Sequence, residues 1–196
     1  MQLETALPIA YAAQAAIMEH CEITHIAGSC RRLKPDVHDI ELCCLPKTEL
    51  VTNRIDMFTD LQTVEVNKDF VRKALKLGKI QKGCPSGRYM QILLPESIDL
   101  DLFIPQDYDY YRQLAIRTGP AEYSYAVLAV GWRKLGWCGT KDGLRLMTDC
   151  IEKRNCSGKS TWQCINPIPE LPPHWKSERE FYDWIKVPWA EPTERA

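Results

Sequence analysis

The chain has 196 residues, with 25 Lys plus Arg against 26 Asp plus Glu, a net charge of -1 that excludes a histone-like basic tail and an acidic solvating segment. Hydrophobic residues make up 45% and charged residues 26%, proportions that exclude a disordered chain. No run approaches the roughly 18 consecutive apolar residues of a membrane span, and Met1-Gln2-Leu3-Glu4 lacks the positive start of a secretory leader, so a cytoplasmic protein with one main core is expected.

Residues 5–20 predict a helix, with Ile9, Ala13, Ala16 and Ile17 apolar. Glu22 to Ala27 is a short β-branched run broken by Gly28-Ser29, and residues 31–38 are polar and loop-like. Asp39 to Leu45 predicts a second strand, ended by Pro46. Residues 67–77 predict a helix with Phe70, Ala74, Leu75 and Leu77 apolar; further strands follow at 88–95 and 98–105. Pro120 to Leu135 predicts a helix with Pro at its start and Gly136 just past its end. Beyond about residue 138 the chain reads as loop-rich, until Ser177-x-x-Glu180 offers a capping box for a final helix. Interleaved strands and helices give an α/β or α+β class.

Nine cysteines stand at 21, 30, 43, 44, 84, 138, 150, 156 and 164, without any Cys-x-x-Cys pair, and are read as reduced thiols. Cys150, Cys156 and Cys164 are the one grouping with metal-ligand character, but no fourth ligand is evident and His174 is ten residues further on. His20, His25 and His174 form no constellation. Gly158-Lys159-Ser160-Thr161 imitates the end of a phosphate-binding P-loop, but position 153, where the first glycine should be, is Lys, so it is read as a decoy.

Asp39-Ile40-Glu41 carries the chemistry. Side chains alternate along a strand, so Asp39 and Glu41 share one face, with Cα atoms about 6.6 Å apart, while Ile40 and Leu42 take the other. Ile98 to Ile104 repeats the pattern with Asp99 and Asp101. Acids converging from two strands without His or Cys make a hard-oxygen environment suited to Mg²⁺ or Mn²⁺. An acid pair on a strand is more often a plain solvated face; the segment eleven residues upstream of Asp39 changes the reading. There Gly28 lets backbone approach a phosphate, Ser29 offers a hydroxyl, and Arg31 and Arg32 supply charge. A phosphate site beside a metal site points to a nucleoside triphosphate.

The run from Ala27-Gly28-Ser29-Cys30-Arg31-Arg32 through Asp39-Ile40-Glu41 resembles the nucleotidyltransferase signature, and most of all that of the family X DNA polymerases, the DNA polymerase beta group. Leu100-Asp101-Leu102-Phe103-Ile104-Pro105 resembles that family's third-carboxylate strand. Thr118-Gly119 looks like the motif opening its nucleotide-facing helix, and residues 177–195 are similar to its thumb terminus. The resemblance covers nearly the whole chain. It implies an α+β nucleotidyltransferase palm over residues 1–117, a mixed sheet with flanking helices, and a thumb-like subdomain over 118–196. It also implies no helix-hairpin-helix lyase domain, since only about 20 residues precede the palm, as in the smallest viral members; a viral, phage or bacterial cytoplasmic setting follows.

By that resemblance Asp39, Glu41 and Asp101 are catalytic and ligate two Mg²⁺ ions, with Mn²⁺ as a substitute. Asp101 is preferred to Asp99 by its spacing to Thr118-Gly119, and Asp99 becomes a nearby surface acid. Gly28, Ser29, Arg32 and the His38 backbone bind the triphosphate, with Thr118, Gly119 and Ser124 on the nucleotide side. The expected activity is DNA-directed transfer from a dNTP to a primer 3′-hydroxyl, filling gaps in DNA repair, by a monomer acting on primer-template or gapped DNA. Ile116-Arg117 replaces the aromatic pair that excludes ribonucleotides in well-known members, so weak sugar discrimination is expected. Lys79, Lys82, Arg88, Arg133 and Lys134 are the expected nucleic-acid contacts, set in basic stretches at 65–90 and 131–160. Alternatives are a nucleotidyltransferase that modifies RNA or protein, and a catalytically weak DNA-binding module.

Overall fold

The computed structural model describes residues 1–53, 62–84, 86–154 and 160–195, which form two compact units, Met1–Pro105 and Gln106–Ala196. The division falls at 105/106, ahead of the boundary expected at 117/118. Each unit mixes helices with its own sheet, an α+β arrangement.

In the first unit α1 (Leu3–Met18) lies on a five-stranded sheet of order β1-β2-β7-β6-β5. Its strands are β1 (Cys21–Ile26), β2 (Asp39–Pro46), β5 (Lys79–Gly83), β6 (Tyr89–Leu93) and β7 (Asp99–Phe103). A separate hairpin, β3 (Glu49–Asn53) with β4 (Gln62–Val66), intervenes, then α3 (Lys68–Ala74). A single helical turn, α2 (Gly28–Arg31), occupies part of the expected loop. The core collects Ala6, Ala10, Ala13 and Ile17 from α1, Phe70 and Ala74 from α3, and Ile40, Leu42, Leu100, Leu102, Met90 and Ile92 from the sheet. Alternation therefore sends every second residue of β2, β6 and β7 to the other face. Of the sheet's four pairings only β2–β7 is parallel.

The second unit opens with α4 (Tyr110–Thr118). A helix follows that begins as α5 (Ala121–Tyr123), widens through π-type turns at Ser124–Ala129 and ends as α6 (Val130–Lys134). Gly136 follows at φ 83°, the left-handed stop that a residue with Cβ resists. The loop-rich reading after 138 is corrected by a four-stranded sheet of β8 (Trp137–Thr140), β9 (Gly143–Leu146), β10 (Cys150–Arg154) and β11 (Ser160–Cys164). These strands are short, and β10 and β11 are mostly exposed on both faces, so they lack the alternation that marks a half-buried strand. Gly158 and Lys159 of the P-loop decoy lie outside the described residues, while Ser160 and Thr161 open β11.

The core here is aromatic. Trp132, Trp137, Trp175, Phe181 and Tyr182 are buried, with Trp175 edge-on to Phe181 at 5.0 Å between centroids. The helix α7 (Glu178–Trp184) starts where expected: Ser177 Oγ accepts from Glu180 N at 3.1 Å, although the Glu180 carboxylate reaches back to Lys176 N rather than to the cap residue.

Candidate active site

Parallel pairing of β2 and β7 is in register, Asp39 opposite Asp99 and Glu41 opposite Asp101. Strands neighbour at about 4.8 Å, so the four acids form a block on the face turned away from the core. Ile40, Leu42, Leu100 and Leu102, which alternate with them, are fully buried. The apolar face fixes the register, and a slip of one residue by either strand would turn that strand's two acids inward. From β6, Tyr89 Oη and Gln91 Nε2 each donate to Asp101 Oδ1 at 3.0 Å, which locks that side chain. Asp99, expected at the surface, is instead half-buried, and its Oδ1 is shut from solvent without a hydrogen-bond partner. Sequence spacing alone carried no sign of that.

On the other side of β2, antiparallel pairing with β1 sets Ile26 against Leu42, and Ala27 N donates to Glu41 O at 2.8 Å. The register thus delivers Gly28 and Ser29 to the edge of the acid block. Gly28 has φ 61°, and a Cβ there would fall onto the Glu41 carboxylate, so glycine is required twice over. Ser29 Oγ is buried without a partner. Arg31 and Arg32 are half-buried, and His38, expected to close the loop through its backbone, has an exposed side chain.

The block's electrostatics follow from burial first and from crowding of like charges second. Burial, and then the Asp101 carboxylate, hold the Asp39 carboxyl above its ordinary value; His38 and a backbone hydrogen bond pull it back, and Asp99 adds a smaller push upward. Cys30, buried beneath the block, is pushed up to about 11 by burial and by the fields of Asp39 and Glu41. Its neutral thiol therefore contributes stability that is whole below about pH 8.5, the ordinary thiol value. That stability is lost as pH rises through about 11. Denaturant midpoints of Cys30→Ala are expected to decline less steeply with alkaline pH than those of the unaltered chain. Equal slopes would mean that neither burial nor the acids hold the Cys30 thiol neutral.

The donor set suits a hard divalent cation: carboxylates alone, clustered, with an unsatisfied oxygen on Asp99. It is not closed. Among the described residues no three His, Cys, Asp or Glu side chains stand as a metal-holding group, and the Glu41 carboxylate is turned toward Gly28. Glu41 has three side-chain torsions with which to swing.

The remaining expected residues are placed as follows. In the first unit Lys79, Lys82 and Arg88 are exposed on the β5–β6 edge, where lysines also protect an edge strand from pairing with another chain. Arg72 and Lys73 of the same basic stretch are engaged, with Asp69 at 3.1 Å and Glu19 at 3.3 Å. In the second unit Thr118 is fully buried at the end of α4, Gly119 N donates to Ala115 O, and Ser124 Oγ donates to Ile116 O at 3.0 Å. Arg133 and Lys134 are exposed. Arg133 lies over the Tyr125 ring at 5.5 Å, on a groove of about 840 Å³ that Trp132, Lys141, Trp162 and Cys164 also line. Sequence reasoning missed this groove because one wall is the unforeseen sheet.

No protein-family model matches the chain, and no curated protein matches it in sequence. Among the described residues no helix is long and apolar enough to cross a membrane.

Proposed function

We propose that the chain is a metal-dependent nucleotidyltransferase of the family X DNA polymerase type, its first unit the palm and its second the thumb. One observation carries the reading: in-register β2 and β7 gather four carboxylates on one face while β1 brings Gly28 and Ser29 to their edge. Acids beside a backbone-lined anion site are what a triphosphate bound with cations requires.

Asp39, Glu41 and Asp101 would hold the Mg²⁺ ions, which supply positive charge at the phosphate under attack. Tyr89 and Gln91 orient Asp101, so its carboxylate is set before substrate arrives. Ser29 Oγ, buried without a partner, gains an acceptor when a phosphate oxygen enters, and Arg32 adds charge-assisted bonds. The exposed Tyr125 ring, beside Arg133 and Lys141 in the groove, suits stacking and phosphate contact with nucleic acid.

The deciding assay is nucleotide addition to gapped DNA with Mg²⁺. Templated addition supports the polymerase reading, untemplated addition indicates a tagging transferase, and none at all removes the enzyme. Mg²⁺ alone is also expected to raise the melting temperature, since a ligand at a hundredfold its Kd stabilises by about 2.7 kcal/mol. Asp39→Asn should abolish that rise; an equal rise in both proteins would place the ion elsewhere.

A further inference from the structure

Cys150 opens β10 and Cys164 closes β11, and the two face each other in the antiparallel register. Immediately outside them Ile165 N donates to Asp149 O at 2.9 Å, so 149/165 is a hydrogen-bonded pair. Narrow and wide pairs alternate, and 150/164 is therefore a non-hydrogen-bonded pair, with Cα atoms about 4.5 Å apart and side chains at their closest. That separation lies within the range of about 4.4–6.8 Å that a disulfide spans. Both residues are free thiols, half-buried and in mutual contact. Cys138 is fully buried and also contacts Cys150, and its Sγ donates to Arg145 O at 3.6 Å. Burial pushes this third thiol up to about 12, which keeps it protonated and out of exchange at neutral pH.

We propose that Cys150 and Cys164 are a thiol pair that closes to a cross-strand disulfide by exchange with a low-molecular-weight disulfide. Cys164, which lines the groove, loses its proton to solvent and its thiolate attacks one sulfur of the reagent. A mixed disulfide forms, and half of the reagent leaves as a thiolate. Cys150, deprotonated in turn, attacks Cys164 Sγ and expels the other half. Two protein thiols are oxidised, one reagent disulfide is reduced to two thiols, and no other oxidant is needed. The bond pins the base of the β10–β11 hairpin. Its register comes from the β10–β11 pairing and does not rest on the proposed function.

The test treats the full reduced chain with oxidised glutathione, blocks residual thiols with iodoacetamide, and maps tryptic peptides without reduction. Cleavage after Lys153, Arg154 and Lys159 puts Cys150, Cys156 and Cys164 on separate peptides, so the partners are read directly. The expected result is a Cys150–Cys164 linked peptide with two thiols lost from the pair, retained in Cys138→Ser. Cys150→Ser should leave Cys164 as a glutathione adduct, and Cys164→Ser should leave no link. The unaltered chain needs no folding control. A dominant link from Cys150 to Cys138 or to Cys156, or no link at all, would overturn the assignment. Protection of all three thiols from alkylation by Zn²⁺ would also overturn it, by revealing a metal centre.

Discussion

Asp101→Asn is expected to lose nucleotide incorporation on gapped DNA by on the order of 10³-fold or more while keeping the fold. Asparagine has nearly the same volume, and its amide oxygen can still accept from Tyr89 Oη and Gln91 Nε2. What disappears is one negative charge in a block of four acids. The like-charge repulsion that adds to burial in holding the Asp39 carboxyl above its ordinary value is relieved, so melting without added metal should be unchanged or slightly higher. On the proposed mechanism activity depends on that charge, because a cation beside the attacked phosphate would be held by net negative donors. The measurement pairs single-turnover incorporation with thermal melting of the same preparation. Near-normal extension would remove Asp101 from the site, and Asp99→Asn would then be the substitution to examine.

Glu178→Ala is expected to cost about 3–5 kcal/mol of stability, the cost of leaving one member of a buried ion pair alone. Arg195 is fully buried, and its Nη1 donates to Glu178 Oε1 at 2.6 Å. Its Nε donates to Ala190 O at 3.0 Å, and its guanidinium lies 4.9 Å from the ring centres of both Tyr182 and Trp189. The arginine thus fastens the terminal segment onto α7. In the variant this cation keeps its apolar surroundings and loses its counter-ion. At roughly 2–4 °C per kcal/mol for a chain of this size, melting should fall by on the order of 10 °C. Replacing both members by Met should recover much of the loss, since the cost lies in the uncompensated charge. Melting of Glu178→Ala within about 1 °C of the unaltered chain would mean that the pair is open to water.

Much of the first unit, and two helix starts of the second, were legible. The two acid strands, the turn at Gly28 and the helix at Pro120 each announce themselves within a few residues, because alternation, glycine and proline act locally. The cap at Ser177 is legible for the same reason. What the sequence withheld depends on pairing between distant segments. The half-burial of Asp99 follows from its place opposite Asp39, which no local pattern encodes. The sheet of β8 to β11 was missed because β10 exposes four of its five residues. The ion pair of Glu178 with Arg195 joins residues that read separately as ordinary helix and tail charges. The candidate acids were all named from sequence, whereas the turn of the Glu41 carboxylate toward Gly28 depends on a rotamer and was not accessible that way.

The β2–β7 pairing also bears on how the acids come together in time. Asp39 and Asp99 are sixty positions apart in the chain, and parallel neighbours cannot be joined by a tight turn. Everything from β3 to β6 is threaded through that one crossover, so a long loop must close before any carboxylate meets its opposite number. Non-local contacts of this kind form slowly during folding. A nascent or partly opened chain therefore holds two separate acid pairs, and the block of four is complete only once β2 and β7 have paired.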